Sequence, residues 1–211
     1  MSDRIVGVFL AAGKSDRMGN NKLNLPLGKQ TLGSITLKTA IHSSLDHLVV
    51  VTKEQDTPQW ISPFLLSPPS KKKWTQQTCK SAIKGQAYSI KCGVKKAMQL
   101  QPKAIMILLA DQPFISKEMI NKLINCYIQH KDAYFVAACY QNTISPPILF
   151  SHQMFPAIMQ LEGDVGARYL LKKEKWRETG IILPFEHSIP FLDVDTKEDY
   201  EFATNVWKSL E

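Results

Sequence analysis

The chain has no long hydrophobic run, little cysteine and no residue type in excess, and each of these absences excludes a class of protein. No stretch approaches the roughly 18 consecutive apolar residues of a membrane-spanning helix, so we expect no membrane partner. No unit repeats with a period of about 20 to 50 residues, and the composition is ordinary, which excludes solenoid, fibrous and disordered proteins. A globular protein with one sizeable core remains.

The cysteines also lack the spacing of a metal site. None forms a Cys-x-x-Cys pair, and none has two histidines at zinc-ligand spacing, so we expect four reduced thiols at Cys79, Cys92, Cys126 and Cys139. The apolar run from Ile5 to Ala12 has the length of a signal-peptide core, but Asp3 precedes it and Arg4 is its single basic flank. We therefore expect a cytoplasmic protein.

A formal net charge of +7 raises the question of nucleic-acid binding. The one dense basic run, Lys71 to Lys73, follows Pro68 and Pro69 and has no interleaved aromatic residues, so it predicts a solvated loop. We expect no nucleic-acid partner. A basic surface is equally suited to anionic small molecules.

Apolar runs alternate with amphipathic segments of helical length along the chain. The predicted strands are Ile5 to Leu10, Leu48 to Thr52, Ala104 to Ala110, Tyr134 to Ala138 and Ile181 to Pro184. The predicted helices are Thr31 to Ser43, Gln86 to Leu100, Lys117 to Gln129 and a last helix toward Leu210, opened by a capping box at Thr196 and Asp199. This order predicts an α/β fold, a single-domain doubly wound, mostly parallel sheet flanked by helices over residues 1–211.

Two stretches do not fit the alternation. The proline-rich stretch from Lys53 to Lys73 has no clear period, and we expect an irregular excursion over the surface. The region from Tyr140 to Leu171 predicts an insertion beside the sheet. In a doubly wound fold, ligands bind outside the carboxyl ends of the strands.

The first predicted strand leads into a loop of small residues and cations that can bind a triphosphate. Small residues let backbone N–H groups approach an anion, and Arg17 and Lys22 supply positive charge. The Gly13-Lys14-Ser15 sequence does not complete a P-loop, because the nearest upstream glycine, Gly7, is at the wrong spacing. Further along, Gly85 opens a helix whose N-terminal N–H groups also suit an anion, or alternatively it is an ordinary helix start.

Carboxylates follow two other strand-like runs. Asp111 ends a buried strand, where it can bind Mg²⁺ or, alternatively, cap the helix near Ser116. Asp193 and Asp195 lie on the same side of an extended segment and repel each other unless a cation is near. Asp195 can alternatively cap the last helix.

The segment from Leu10 to Pro26, LAAGKSDRMGNNKLNLP, resembles the signature of the MobA-like NTP transferases of the molybdenum cofactor cytidylyltransferase type. Asp111-Gln112-Pro113 and the Gly163-Asp164-Val165-Gly166-Ala167-Arg168 stretch also match the family pattern. The resemblance implies catalytic roles for Lys22, Arg17 and Asp111, and nucleotide contacts from Leu10, Ala11, Ala12, Gly13, Lys22, Gly85 and Ser89. It further implies Mg²⁺ ligands at Asp111, Asp193 and Asp195, and acceptor contacts from Asp164, Arg168 and Pro147.

By the same resemblance, the protein transfers CMP from CTP to the molybdopterin molybdenum cofactor and releases pyrophosphate. The implied partners are an NTP, the molybdenum cofactor, and the apo-enzyme of a molybdenum hydroxylase such as xanthine dehydrogenase, or its chaperone. One departure concerns the acceptor, since Ser145-Pro146-Pro147 stands where related cytidylyltransferases often have Gly-His-Pro. The alternatives are transfer to a sugar or polyol phosphate, and a non-catalytic carrier of the finished cofactor.

Overall fold

The computed structural model describes residues 4–13, 21–54, 58–173, 176 and 178–210 and shows a mostly parallel sheet flanked by helices. The strands are β1 Ile5–Leu10, β2 Pro26–Leu27, β3 Gln30–Thr31, β4 His47–Lys53, β5 Trp74–Cys79, β6 Ala104–Leu109, β7 Phe135–Tyr140, β8 Thr143–Ser151 and β9 Ile181–Pro184. The α-helices are α1 Leu32–Ile41, α2 Pro63–Leu66, α3 Gln86–Met98, α4 Lys117–Gln129, α5 Phe155–Met159, α6 Arg168–Leu171 and α7 Lys197–Leu210. The predicted fold class is confirmed.

The main sheet has seven strands in the order β5-β4-β1-β6-β8-β7-β9. All of its strand pairs are parallel except those of β8, which runs opposite to its neighbours β6 and β7. From β1 the chain crosses to β4 on one side, and it later returns to β6 on the other side. The strand order therefore reverses between β1 and β6, where a doubly wound fold binds its ligands.

The sheet is covered on both faces because its central strands are apolar on both sides. In β1, Ile5 and Phe9 face one apolar core, while Val6, Val8 and Leu10 face the other. Residues of α1, α4 and α7 pack in the first core, and residues of α3, α5 and α6 pack in the second. The two cores fix β1 and β6 in the middle of the molecule.

The prediction of an insertion from Tyr140 to Leu171 was wrong for its first part. Thr143–Ser151 forms β8, which lies between β6 and β7. Its two prolines argued against a strand in the sequence, because proline has no N–H group to donate to the hydrogen bonds of a sheet. The register of β7 against β8 passes from Ala137 opposite Ile148 to Ala138 opposite Ser145, so Pro146 and Pro147 lie in an irregularity where no ladder bond is required.

The expectation of a surface excursion from Lys53 to Lys73 was also wrong in part. Among its described residues, Trp60 is fully buried and its ring lies against Phe9, and Leu65 is buried in the same core. The next strand, β5, was not predicted, because an edge strand of sequence WTQQTC shows no continuous apolar run. Edge strands bury fewer side chains than central strands do.

The remaining predicted elements agree with the structure to within two residues at their described ends. All four cysteines are free thiols, as expected. Within the described ranges, no helix combines the length and the apolar character needed to cross a membrane.

Candidate active site

Lys22 joins two carboxylates at the carboxyl edge of the sheet. Its Nζ atom lies 2.5 Å from Asp111 Oδ2 and 2.6 Å from Asp195 Oδ1. Asp111 follows β6, Lys22 follows β1, and Asp195 precedes α7, so three distant segments meet beside the reversal of strand order. The Lys22 side chain is only 7% exposed, whereas that of Asp195 is half exposed. The three groups form a charged cluster that solvent reaches from the Asp195 side.

Local structure orients the Lys22 side chain. Asn21 caps a short 3-10 helix, Lys22–Asn24, by accepting a hydrogen bond from the Leu23 N–H. Leu23 is buried in the core shared with α1 and Trp60, which anchors this turn to the first helix. Downstream, the hydroxyl of Tyr200 on α7 donates to the Pro26 carbonyl. The turn that carries Lys22 is therefore held from both sides.

Asp193 belongs to the same acidic cluster but has a different partner. Its Oδ1 accepts a hydrogen bond of 2.8 Å from Gln112 Nε2. Beside this bond, the Val194 N–H donates to the Asp111 carbonyl at 3.0 Å, and Val194 is fully buried. The segment before α7 is thus tied to the segment after β6 through backbone and side chain.

Neither capping alternative describes these carboxylates. The N-terminus of α4 is capped by Ser116 itself, whose hydroxyl accepts from the Met119 N–H. At α7, Thr196 and Asp199 form the expected capping box, in which Thr196 Oγ1 accepts from the Asp199 N–H and Asp199 Oδ2 accepts from the Thr196 N–H. The Asp111 and Asp195 side chains contact Lys22 instead.

The cluster shifts the pKa of two of its members. Burial raises the pKa of Asp193 to about 6, the nearby charges of Asp111 and Asp195 act in the same direction, and the Gln112 hydrogen bond and Lys22 oppose them. Burial lowers the pKa of Lys22, but the charges and hydrogen bonds of Asp111 and Asp195 outweigh it. The pKa of Lys22 therefore lies above its ordinary value, and its ammonium group stays charged at neutral pH.

The pKa of Asp193 predicts a pH dependence of stability. The folded protein holds this proton more tightly than the unfolded chain does, so the associated stability is complete below about pH 4 and is lost as pH rises through about 6. Asp193→Asn removes this loss and keeps an oxygen that accepts from Gln112. In urea unfolding with EDTA, we expect the variant to gain up to about 3 kcal/mol over the wild type between pH 4 and 7. A gain that does not change with pH would contradict this.

A second part of the carboxyl edge lies at the N-terminus of α3. Gly85 precedes this helix with φ of 129°, and its place next to the Gly163 carbonyl leaves no room for a Cβ atom. The Gln86 N–H donates to Asp164 Oδ1 at 2.9 Å, and the Ala87 N–H donates to the Gly163 carbonyl at 3.4 Å. The loop before α6 therefore docks on this helix terminus, and Asp164 caps it.

The other predicted site residues are placed along the same edge or lie outside the described ranges. Leu10, Ala11 and Ala12 are buried at the end of β1, and Gly13 is exposed. Ser89 is buried on α3, Pro147 is buried in β8, and Arg168 is exposed at the start of α6. Arg17 lies outside the described residues. The sequence reasoning gave no role to Gln112, because the Asp-Gln-Pro motif shows that it follows Asp111 but not that it contacts Asp193, 81 positions away.

Comparisons with known proteins give the family and the fold of the chain. The model of the MobA-like NTP transferase domain matches residues 7–179. The purine catabolism protein PucB of Bacillus subtilis is 42% identical over 203 residues, which cover 96% of this chain and 97% of PucB. In structure, a homologue of Mycobacterium tuberculosis Rv0371c from Mycobacterium sp. strain JC1 matches with a TM-score of 0.79 and 26% identity, and each chain is covered completely.

The manganese complex of Rv0371c from Mycobacterium tuberculosis H37Rv has the same fold, with a TM-score of 0.72, 21% identity, and coverage of 96% of this chain and 98% of that one. The family match over residues 7–179, together with the fold, defines a nucleotidyltransferase. The chain belongs to the MobA-like NTP transferase family, and it is similar to PucB over almost its whole length.

Proposed function

We propose that this protein transfers CMP from CTP to the molybdopterin molybdenum cofactor, with release of pyrophosphate and with Mg²⁺ as the cofactor. The observation that carries this proposal is the charged cluster of Lys22, Asp111 and Asp195 at the reversal of strand order. A cation and carboxylates at this point are suited to a nucleoside triphosphate and its metal. The choice of CTP rests on the Leu-Ala-Ala-Gly sequence at residues 10–13, which resembles the cytidylyl members of the family.

The carboxylates have the chemistry that a divalent cation requires. Asp111 Oδ1 is buried and accepts no hydrogen bond from the residues that the structure describes. No three His, Cys, Asp or Glu side chains of the described ranges form a group that holds an ion alone. Mg²⁺ commonly uses only one or two carboxylates and completes its octahedron with water and phosphate oxygens, so we propose Asp111 with Asp193 or Asp195 as ligands. The manganese complex of Rv0371c supports a divalent metal.

The proposed mechanism gives each group of residues a separate task. The cation, when bound, neutralises triphosphate charge and polarises the phosphate oxygens. Lys22 exchanges its carboxylate partners for phosphate oxygens and, with Arg17, stabilises the charge that develops on the α-phosphate and the leaving pyrophosphate. The phosphate monoester of the acceptor has a second pKa near about 6 and is already ionised at neutral pH, so no general base is needed.

The remaining residues bind the two substrates in this proposal. The backbone of Leu10 to Gly13 contacts the base and sugar, and Gly85 and Ser89 contact the nucleotide from α3. Asp164, Arg168 and Pro147 contact the acceptor. The similarity to a purine catabolism protein favours a molybdenum hydroxylase such as xanthine dehydrogenase as the recipient of the product, with its apo-enzyme or chaperone as partner.

The test is pyrophosphate release from purified protein with Mg²⁺ and molybdenum cofactor, with CTP, GTP, ATP and UTP in separate reactions. We expect release with CTP and none after Asp111→Asn. Release with GTP alone would make the choice of base wrong. No release with any nucleotide, from protein that binds CTP with Mg²⁺, would favour a sugar or polyol phosphate acceptor. No nucleotide binding, with tight binding of the finished dinucleotide cofactor, would instead indicate a carrier.

A further inference from the structure

Gln112 is a buried amide beside the acidic cluster, and the proposed mechanism gives it no task. The residue is fully buried. Its Nε2 donates to Asp193 Oδ1 at 2.8 Å, while its Oε1 is buried and accepts no hydrogen bond from any residue that the structure describes. Among these residues, therefore, only the donor half of the amide has a partner.

A half-satisfied buried amide is an unfavourable choice for stability alone. Burying a polar atom without a partner costs free energy, whereas an apolar side chain of similar size fills the same volume without this cost. The contribution of the Gln112 amide must therefore lie in the bond that it makes. That bond goes to Asp193, a carboxylate beside Asp111.

The position of Gln112 suits it to orient that carboxylate. It directly follows Asp111, whose carbonyl accepts from the Val194 N–H, so the two segments are already joined at this point. This bond connects the two backbones and does not itself orient the Asp193 side chain. The donor of Gln112 selects one rotation, because the opposite orientation of the amide would place its oxygen against a carboxylate oxygen.

We propose that Gln112 is a positioning residue that holds the Asp193 carboxylate in the orientation in which, together with Asp111, it binds a divalent cation. The inference rests on the proposed metal site, but it needs no assumption about the base or the acceptor. Partners that orient a ligand from behind are commonly worth about 10- to 100-fold in metal affinity.

The test is Mn²⁺ binding, measured by the electron paramagnetic resonance of free Mn²⁺ without nucleotide. Gln112→Met removes the donor and fills a similar volume, and we expect about tenfold weaker binding or more. Gln76→Met is the control for the same substitution away from the site, because Gln76 is exposed on the edge strand β5 and its Nε2 also donates to a side chain, Thr52 Oγ1 on β4. We expect the control to bind Mn²⁺ like the wild type.

Thermal unfolding separates positioning from support of the fold. We expect Gln112→Met to unfold close to the wild-type temperature, because the loss of the donor to the Asp193 carboxylate destabilises the fold while removal of the buried Oε1 stabilises it. A lower unfolding temperature with unchanged Mn²⁺ affinity would show a structural role and overturn the proposal. If Gln112→Met fails to fold, Gln112→Leu provides the same comparison.

A double-mutant cycle tests whether Gln112 acts through Asp193. We expect Gln112→Met with Asp193→Asn to bind Mn²⁺ as weakly as Asp193→Asn alone, and additive losses would overturn the proposal. The transfer reaction is tested separately from the role of Gln112. Wild-type protein that binds Mn²⁺ but releases no pyrophosphate would reject the reaction and leave the role of Gln112 intact.

Discussion

Lys22→Met is expected to slow nucleotidyl transfer by about 10²- to 10³-fold and at the same time tighten the binding of a divalent cation. Loss of one charge that stabilises a phosphoryl transition state costs about 10²- to 10³-fold in rate. In the nucleotide-free protein, however, the Lys22 ammonium lies between Asp111 and Asp195, at 2.5 and 2.6 Å. It therefore competes with any metal ion for these carboxylates. Charges about 4 Å apart interact by roughly 1 to 4 kcal/mol at a protein surface, so we expect Mn²⁺ affinity to rise about tenfold or more.

Two measurements check this expectation. Pyrophosphate release gives the rate, and Mn²⁺ titration without nucleotide gives the affinity. Lys72→Met is the control, since Lys72 is exposed before the start of β5, at the opposite edge of the sheet. It removes the same charge from the chain and should leave both quantities unchanged. Weaker Mn²⁺ binding by Lys22→Met would contradict the competition between the ammonium and the metal.

Gly85→Ala is expected to destabilise the protein by about 3 kcal/mol. The φ and ψ of Gly85 are 129° and 170°, a region that is essentially reserved for glycine and costs other residues about 1 to 3 kcal/mol. An added Cβ would also lie 2.5 Å from the Gly163 carbonyl oxygen, so the loop that docks on α3 would have to move. Urea unfolding measures the loss. Faster hydrogen exchange at the Gln86 and Ala87 amides would show that the docking has been lost.

Gly163→Ala is the control that separates the two causes of the loss in Gly85→Ala, the clash of the added Cβ and the strain of the backbone conformation. Gly163 also has a positive φ, 72°, but an added Cβ there meets no atom within 4 Å. We expect a loss of about 1 to 2 kcal/mol, the usual cost of the left-handed conformation for a residue with a side chain. Equal losses in the two variants would show that contact with the Gly163 carbonyl contributes nothing.

The sequence predicted the parallel part of the sheet because strands buried on both faces are apolar throughout. β1 and β6 show this pattern, and the rule that ligands bind at carboxyl ends directed attention to Lys22 and Asp111. The apolar pattern failed to predict buried segments whose local sequence does not look like a buried strand. β8 carries two prolines in a register irregularity, and Trp60 reaches the core from a proline-rich segment without a period. Both depend on partners far away in the sequence.

The candidate site was predicted residue by residue, but its contacts were not. Lys22 and Asp111 are 89 positions apart, and no local pattern states that they pair. Asp164 was assigned to the acceptor by resemblance, and the structure shows it capping α3, which follows from docking of its loop rather than from spacing. The role of Asp164 toward the acceptor stays a prediction. The Gln112 bond to Asp193 likewise depends on how two loops meet.

The bond between Lys22 and Asp195 joins residues 173 positions apart, and this separation has a consequence for biosynthesis. Lys22 leaves the ribosome long before Asp195, and the last strand, β9, ends at Pro184. Every strand of the sheet can therefore be synthesised while the buried ammonium still lacks one of its two carboxylates. A nascent or prematurely terminated chain would contain the complete sheet and an incomplete Lys22 cluster, so we expect competence for transfer to require the segment after β9.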